Sequence, residues 1–319
     1  MLNNFKIAFF FVGAIVGAGF ATGREIALYF ARYNVFAPIF AGVILGALCF
    51  MFLLIGASLT TFNCNQKLFK TIEFFVMASC IITYLAMCSG AEIIVKESAN
   101  LRYVGLLTGI FVAILCCFSL NFLKNINFIV VPLIIVLMLV LASNLTSFSG
   151  VTAKCGGLNA IAYASMNLLL GGFLVIKEGK KINFKNAVII GVLVAIICIF
   201  MLVIMYYIVI INPQTQMPVF VFAQNFGLGK ISALIIYFAI FSTLIGAGYV
   251  FVDFFEQWFD KKYYAIFLML IMSFCGFWLP FDYFVNTFYP IISVLGVVFC
   301  IYGIVLFFKF NLIKKVELK

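Results

Sequence analysis

Two stretches of the chain place polar or charged groups inside long apolar runs. The first, residues 13–25, contains four glycines and ends in Arg24 and Glu25. Glycine weakens a helix relative to alanine, and a helix that opens inside a bilayer exposes backbone groups that lipid cannot satisfy. Those groups must then face protein, water, an ion or a substrate. The glycines also form two GxxxG pairs, so close helix packing is the alternative interpretation.

The second stretch reads Ala239-Ile-Phe-Ser242-Thr243. Positions i, i+3 and i+4 share one face of a helix, so a carbonyl edge and two hydroxyls lie together. Uncharged oxygen ligands suit a hard cation. Serine and threonine in membrane helices also bond to the backbone of their own helix, and that is the alternative for this motif.

The composition excludes an ordinary soluble protein. The chain is 66% hydrophobic and 9% charged, with a mean hydropathy of +1.27, whereas soluble domains are about half apolar and a quarter charged. The net charge of +10 comes from basic residues between apolar runs, which indicates membrane orientation rather than nucleic-acid binding. The lack of histidine excludes histidine metal sites. No Gly-x-Ser-x-Gly elbow is present, which argues against an enzyme.

Helical periodicity and segment length predict an all-α polytopic membrane protein. A spanning helix needs roughly 20 mostly apolar residues, and ten segments qualify. The first is interpreted as a helix because its apolar run, from Ile7 to Thr22, exceeds the usual core of a signal peptide. The predicted spans are 5–31, 36–61, 72–95, 103–121, 126–143, 158–177, 186–211, 231–253, 263–280 and 284–308.

The distribution of basic residues predicts the topology. With the N-terminus inside, 14 of the 20 Lys and Arg residues lie on the cytoplasmic side and 6 lie outside. This asymmetry agrees with the positive-inside rule. Ten spans return the C-terminus to the cytoplasm, so both termini are expected there.

The ten spans divide into two halves within a single transmembrane domain, 1–319. A polar stretch separates 1–143 from 157–308. Five spans per half require the second half to enter from the opposite side, which predicts a 5+5 inverted repeat. Spans one and six are predicted to be broken near 16–23 and 164–172, where glycines and polar residues interrupt both, and to touch at mid-membrane.

The two motifs together, Gly13-x-x-Val16-Gly17-x-Gly19 and Ala239-x-x-Ser242-Thr243, resemble the sodium-coupled LeuT-type transporters. The run from Gly17 to Glu25 looks most like the YkvI-type bacterial membrane proteins, which are distant relatives of amino-acid permeases. The resemblance covers all ten spans in architecture, but its specific motifs lie in spans one, six and eight. It implies a LeuT-like fold in the bacterial cell (inner) membrane.

The resemblance also implies one sodium ion as the coupling ion, and no other cofactor is expected. A second sodium is not expected, because Phe20 occupies the position of an asparagine that donates to it in LeuT-type proteins. The implied ligands are the carbonyls of Gly13, Val16 and Ala239 and the hydroxyls of Ser242 and Thr243.

A substrate carboxylate is expected at the free N–H groups around Gly17 to Gly19, because a half-helix N-terminus attracts anions. Tyr84 lies where LeuT-type proteins use a tyrosine to bind the carboxylate, with a core or lipid-facing role as the alternative. The candidate substrate-binding residues are Gly17, Ala18, Gly19, Phe20, Tyr84, Ser165 and Asn167.

The same resemblance suggests two gates, an outer pair of Arg24 and Asp282 and an inner pair of Lys6 and Asp253. Solvated interfacial charge is the alternative for both pairs. Intramembrane acids are functional candidates by default. Glu25 lacks a partner nearby in its own helix, so it is the first acid to test if protons drive coupling.

The leading hypothesis is a sodium-coupled symporter that moves an amino acid or a related small zwitterion by alternating access. A proton-coupled permease and a nutrient receptor of the spore-germination type are the alternatives. The expected partners are a small-molecule substrate and the lipid bilayer. Nucleic acid is not expected, and no obligatory protein partner is inferred.

Overall fold

The computed structural model describes residues 2–16, 18–58, 66–116, 120–145, 154–180 and 182–309. Within these ranges the regular structure is entirely helical, which confirms the all-α prediction. The helices are α1 Leu2–Ile15, α2 Ala18–Ala21, α3 Arg24–Phe30, α4 Phe36–Ser58, α5 Gln66–Ala99, α6 Val104–Leu115, α7 Leu120–Ala142, α8 Gly157–Gly179, α9 Phe184–Val209, α10 Pro218–Gln224, α11 Gly229–Phe259, α12 Lys262–Trp278, α13 Phe281–Tyr283 and α14 Tyr289–Lys309, with a π-helical turn, Phe284–Phe288, between the last two.

Several of these helices are long and apolar enough to cross a bilayer. Six of the described helices meet that requirement, and a bent seventh, α8, meets it as one span. Three shorter apolar helices, Asn3–Ile15, Val104–Leu115 and Lys262–Trp278, coincide with predicted spans one, four and nine. The chain is therefore a polytopic membrane protein, with six or seven spans by length and composition alone.

The first span is interrupted as predicted. Helix α1 ends at Ile15, and the short α2 and then α3 follow. Gly23 separates α2 from α3 with φ of 84°, a left-handed conformation that glycine adopts without strain. The carbonyl of Thr22 accepts a hydrogen bond from the N–H of Val219 in α10, at 3.0 Å. This hydrogen bond places α10 against the interruption. Helix α10 is not among the segments predicted from the sequence.

The sixth span differs from its prediction. Helix α8 is helical from Gly157 to Gly179, but its two parts, Gly157–Leu169 and Gly171–Gly179, meet at an angle of 58°. A Cβ atom on Gly171 would lie 3.0 Å from the Phe11 ring. Spans one and six therefore touch, as predicted. Span six is bent within the predicted stretch and is not unwound over several residues.

Close packing between glycines holds the surrounding helices. A Cβ on Gly46 of α4 would lie 2.6 Å from the carbonyl oxygen of Gly191 in α9. A Cβ on Gly56 of α4 would lie 3.0 Å from the Cα of Gly179 in α8. Small residues allow membrane helices to approach to this distance. These contacts place α4 as a support behind the helices that carry the functional groups.

Glu92 fixes the start of α6 and provides a test of the fold. Its carboxylate accepts backbone hydrogen bonds from Tyr103 and Gly105, each at 2.9 Å, and the side chain is buried. We expect Glu92→Ala to lower the free energy of unfolding by about 2–3 kcal/mol, because charge-assisted bonds are lost at a helix N-terminus. Thermal unfolding in detergent measures this. Glu97→Ala is the control, at an exposed position of α5, the helix that also carries Glu92. An equal loss of stability in both variants would contradict the capping role.

Candidate cation site and central cavity

Thr243 of α11 faces the interruption of the first span. Its hydroxyl oxygen lies 3.4 Å from the carbonyl oxygen of Gly13 and 3.4 Å from that of Val16. The Thr243 side chain is buried. Gly13 lies in the last turn of α1, and Val16 follows the end of that helix at Ile15, so both carbonyls lie where intrahelical partners run out. Three of the five predicted cation ligands therefore lie together.

The distances from the Thr243 hydroxyl to these two carbonyls are compatible with long hydrogen bonds and also with oxygens arranged around a cation. Hydroxyl hydrogen bonds normally measure 2.5–3.0 Å between oxygens. A cation with oxygen ligands at about 2.4 Å, as Ca²⁺ has, holds two ligands at right angles about 3.4 Å apart. Both Thr243 contacts have this length. The three oxygens are uncharged, which favours a monovalent ion over a divalent one.

Asn127 of α7 extends the site and was missed by the sequence analysis. Its side chain is 1% exposed, and its amide nitrogen donates to the carbonyl of Phe10 at 3.4 Å. The hydroxyl of Ser242 donates to its Oδ1 atom. A Cβ on Gly13 would lie 2.7 Å from its Nδ2 atom. A lone amide within apolar span five was the available signal.

The predicted Ser242 ligand therefore faces Asn127, while Ala239, one turn earlier on α11, is fully buried. The five predicted ligands and Asn127 together form the candidate cation site, called the cation site below: Gly13, Val16, Ala239, Ser242, Thr243 and Asn127.

A central cavity of about 40 Å³ lies beside the cation site. Thr243 lines it as well, so one side chain borders both. The polar part of the lining comes from Glu25, Ser79, Thr83, Asn167 and Tyr289, and the apolar part includes Ile15, Met87, Met166 and Ile292. The cavity thus has an apolar wall and a small set of polar groups, as expected of a small-molecule site.

Tyr84 does not line the central cavity. Ser79, Thr83 and Met87 are spaced four residues apart on α5 and share the face that does. Tyr84 is rotated about 100° from Thr83 around the helix. Its hydroxyl donates to the carbonyl of Gly109 in α6 at 2.7 Å. The carboxylate-binding role suggested for Tyr84 is therefore replaced by a contact between helices.

The other predicted substrate residues divide between the cavity and the packing around it. Asn167 lines the cavity, and its amide nitrogen donates to the carbonyl of Tyr163 at 3.0 Å. Ser165 faces α14, where its hydroxyl accepts from the thiol of Cys300 at 3.5 Å. Phe20 is buried and lines no part of this cavity.

The glycine run around the interruption is only partly described. Gly17 lies outside the described residues, and Ala18 is described as the first residue of α2 without its side chain. Gly19 packs directly against the carboxylate of Glu25. A negative side chain therefore occupies the space where a substrate carboxylate was expected.

The predicted outer pair is present. Arg24 Nε lies 3.0 Å from Asp282 Oδ1, an ion pair without the alignment of a hydrogen bond. Arg24 Nη2 donates to Asn286 at 3.4 Å, within the π-helical turn. An outer cavity of about 380 Å³ lies against Arg24 and Asn286. Arg24 borders this cavity, and the next residue, Glu25, borders the central one.

The inner pair differs from its prediction. Asp253 forms an ion pair with Lys177 of α8, and Gln257 donates to the same carboxylate at 2.8 Å. Lys6 instead lies over the Phe128 ring, 5.6 Å from its centroid. Lys177 lies in the last turn of α8, beyond the bend in that helix, where it reaches Asp253 of α11. The ion pair therefore joins spans six and eight.

Comparison with known proteins agrees with the resemblance seen in the sequence. No family model matches the chain. The uncharacterized membrane protein YkvI of Bacillus subtilis (strain 168) is 24% identical over 329 aligned positions, which cover 92% of this chain and 93% of that protein. The resemblance to YkvI is confirmed. It extends beyond the quoted motifs to nearly the whole length of both chains.

The fold of this YkvI-like chain is that of a membrane transporter. A solved structure of Mhp1, a nucleobase-cation-symport-1 family transporter in a closed conformation with bromovinylhydantoin bound, matches with a TM-score of 0.59 at 12% identity. The match covers 89% of this chain and 74% of that one. This likeness shows a fold of the LeuT-like type and nothing beyond the fold.

Proposed function

We propose that this protein is a sodium-coupled symporter of an amino acid or a related small zwitterion. The observation that carries the proposal is the position of the Thr243 hydroxyl, 3.4 Å from the carbonyls of both Gly13 and Val16. These three oxygens belong to an interrupted helix and to the helix packed against it. Transporters of this architecture place ion and substrate sites at such interruptions.

Coupling follows from the shared position of Thr243. Its hydroxyl contacts the cation site, and its side chain also borders the central cavity. A cation that draws Thr243 towards α1 stabilises one wall of the cavity, so ion and substrate strengthen each other's binding. Such coupling is reciprocal, because each ligand changes the affinity of the other by the same factor.

The proposal includes alternating access within a ten-span 5+5 inverted repeat, as one domain in the bacterial inner membrane with both termini in the cytoplasm. Three shorter apolar helices supplement the long spans at the predicted positions of spans one, four and nine. In this proposal the ion pair of Arg24 with Asp282 is the outer gate and the ion pair of Lys177 with Asp253 is the inner gate. Opening one pair while the other holds provides access from one side at a time.

The deciding experiment uses purified protein in proteoliposomes with a pooled mixture of labelled amino acids. We expect uptake to rise when an inward sodium gradient is imposed and to remain at background when potassium or choline replaces sodium. Uptake that is indifferent to this replacement would contradict sodium coupling. Empty liposomes with the same gradients are the control for leakage.

A proton-coupled permease is the second candidate, favoured by Glu25. This carboxyl group is 4% exposed and lines the central cavity. Among the described residues its Oε2 atom has no hydrogen-bond partner. Uptake that follows a pH gradient, and is lost in Glu25→Gln, would place this candidate first.

A further inference from the structure

Glu25 is the only ionisable acid or base among the described residues that line the central cavity, apart from the Tyr289 phenol. Its neighbour Arg24 is directed away from the cavity. Arg24 contacts Asp282 at 3.0 Å, and its Nη1 atom donates to the carbonyls of Pro213 and Thr215 at 3.4 and 3.5 Å. Arg24 therefore points away from the central cavity, whereas the next residue, Glu25, points into it.

The Glu25 carboxyl group is buried with one oxygen atom that lacks a hydrogen-bond partner among the described residues. It is 4% exposed, and Oε2 has no hydrogen-bond partner within the described part of the chain. An ionised carboxylate away from water is strongly unfavourable unless it is paired. Arg24 is engaged with Asp282, and no other cation among the described residues lines this cavity, so a proton or a cationic group from outside the protein has to neutralise the carboxylate.

We propose that the Glu25 carboxylate binds the ammonium group of the transported substrate. An ammonium group has three donors and no acceptor, so one donor suits Glu25 and the others need neutral oxygens. Ser79, Thr83 and Asn167 bring such oxygens to the same cavity. The inference rests on the proposed transport of a small molecule, and it specifies which end of that molecule faces α3.

The cavity lining also limits the rest of the substrate. The carboxylate of Glu25 packs against Gly19 and repels a second carboxylate there. A substrate carboxylate, if the molecule has one, therefore points away from Gly19. The apolar remainder lies among Met87, Met166 and Ile292. The cavity of about 40 Å³ holds a head group, and methionine side chains are flexible enough to enlarge it. The substrate class is a small aliphatic amine or amino acid.

The test measures equilibrium binding to purified protein in lipid nanodiscs at a fixed, saturating sodium concentration. The probes are leucine, its decarboxylated analogue isopentylamine and its deaminated analogue isocaproate, with the corresponding set from alanine. Wild type should bind an amine-bearing probe and not the deaminated acids. Glu25→Gln should weaken that binding roughly thirtyfold or more, as for loss of one partner of a buried charge pair. Glu97→Gln, an exposed change on α5, is the matched control.

A stability measurement separates loss of binding from loss of fold. Without ligand, Glu25→Gln should unfold at a temperature no lower than wild type, because the change removes an unpaired buried charge. Equal binding by Glu25→Gln and wild type would assign Glu25 a proton-carrying role and overturn the proposal. Binding of isocaproate as tight as that of isopentylamine, or no binding of any amine, would also overturn it. Amine binding that depends on Glu25 without sodium-driven uptake would support this site and reject only the symport function.

Discussion

Thr243→Ala is expected to raise the sodium concentration needed for half-maximal uptake by roughly 5- to 150-fold. The change removes a buried hydroxyl that lies between two backbone carbonyls, and leaving such polar groups without a partner costs about 1–3 kcal/mol. Apparent substrate affinity should fall mainly at low sodium and recover as sodium rises, because the coupling is reciprocal. Sodium titrations of uptake into proteoliposomes, repeated at several substrate concentrations, measure both effects.

Two further variants make this test specific. Thr243→Ser retains the hydroxyl and should stay close to wild type. Thr108→Ala makes the same substitution at an equally buried position on α6, where the hydroxyl donates to the carbonyl of Val104 at 2.7 Å. It should leave the sodium requirement unchanged. A well-folded Thr243→Ala protein with a sodium requirement within twofold of wild type would show that the cation does not bind here.

How much of this site can be predicted from the sequence depends on whether the relevant residues are neighbours in the chain or only in the folded protein. The Gly13 and Val16 carbonyls and Thr243 were predicted from the resemblance to LeuT-type transporters, whose two motifs each lie within a few residues of the chain. Asn127 was missed because nothing beside it in span five indicates that Gly13 lies opposite. That contact depends on how α7 packs against α1, which a single sequence does not contain.

The two ion pairs illustrate the same limit at a larger scale. Arg24 and Asp282 follow recognisable interruptions at the outer ends of their spans, and they are paired. For Asp253, the depth in the membrane suggested Lys6, whereas the partner is Lys177. Lys177 lies beyond the 58° bend of α8. Glycine and polar residues indicated an irregularity there, but they did not distinguish a bend from an opening.

Gly13→Ala is expected to reduce uptake at low sodium by tenfold or more. Alanine normally stabilises a helix relative to glycine, so this loss opposes the intrinsic preference. The added methyl group would lie 2.7 Å from Asn127 Nδ2 and force that side chain away from Ser242 and the Phe10 carbonyl. Overpacking of this kind costs about 1–3 kcal/mol. Initial uptake rates at limiting and saturating sodium measure the effect.

Gly157→Ala is the matched control, because a Cβ there meets no other atom within 4 Å. It should leave both uptake and unfolding temperature near the wild-type values. The decisive comparison adds Asn127→Ala, which vacates the space that the new methyl group needs. If the collision with Asn127 causes the loss, Gly13→Ala should cost nothing further in that background, as contacting residues are not additive. Additive losses in the double variant would mean that Gly13 acts independently of Asn127, and the collision between them would then not explain the effect of Gly13→Ala.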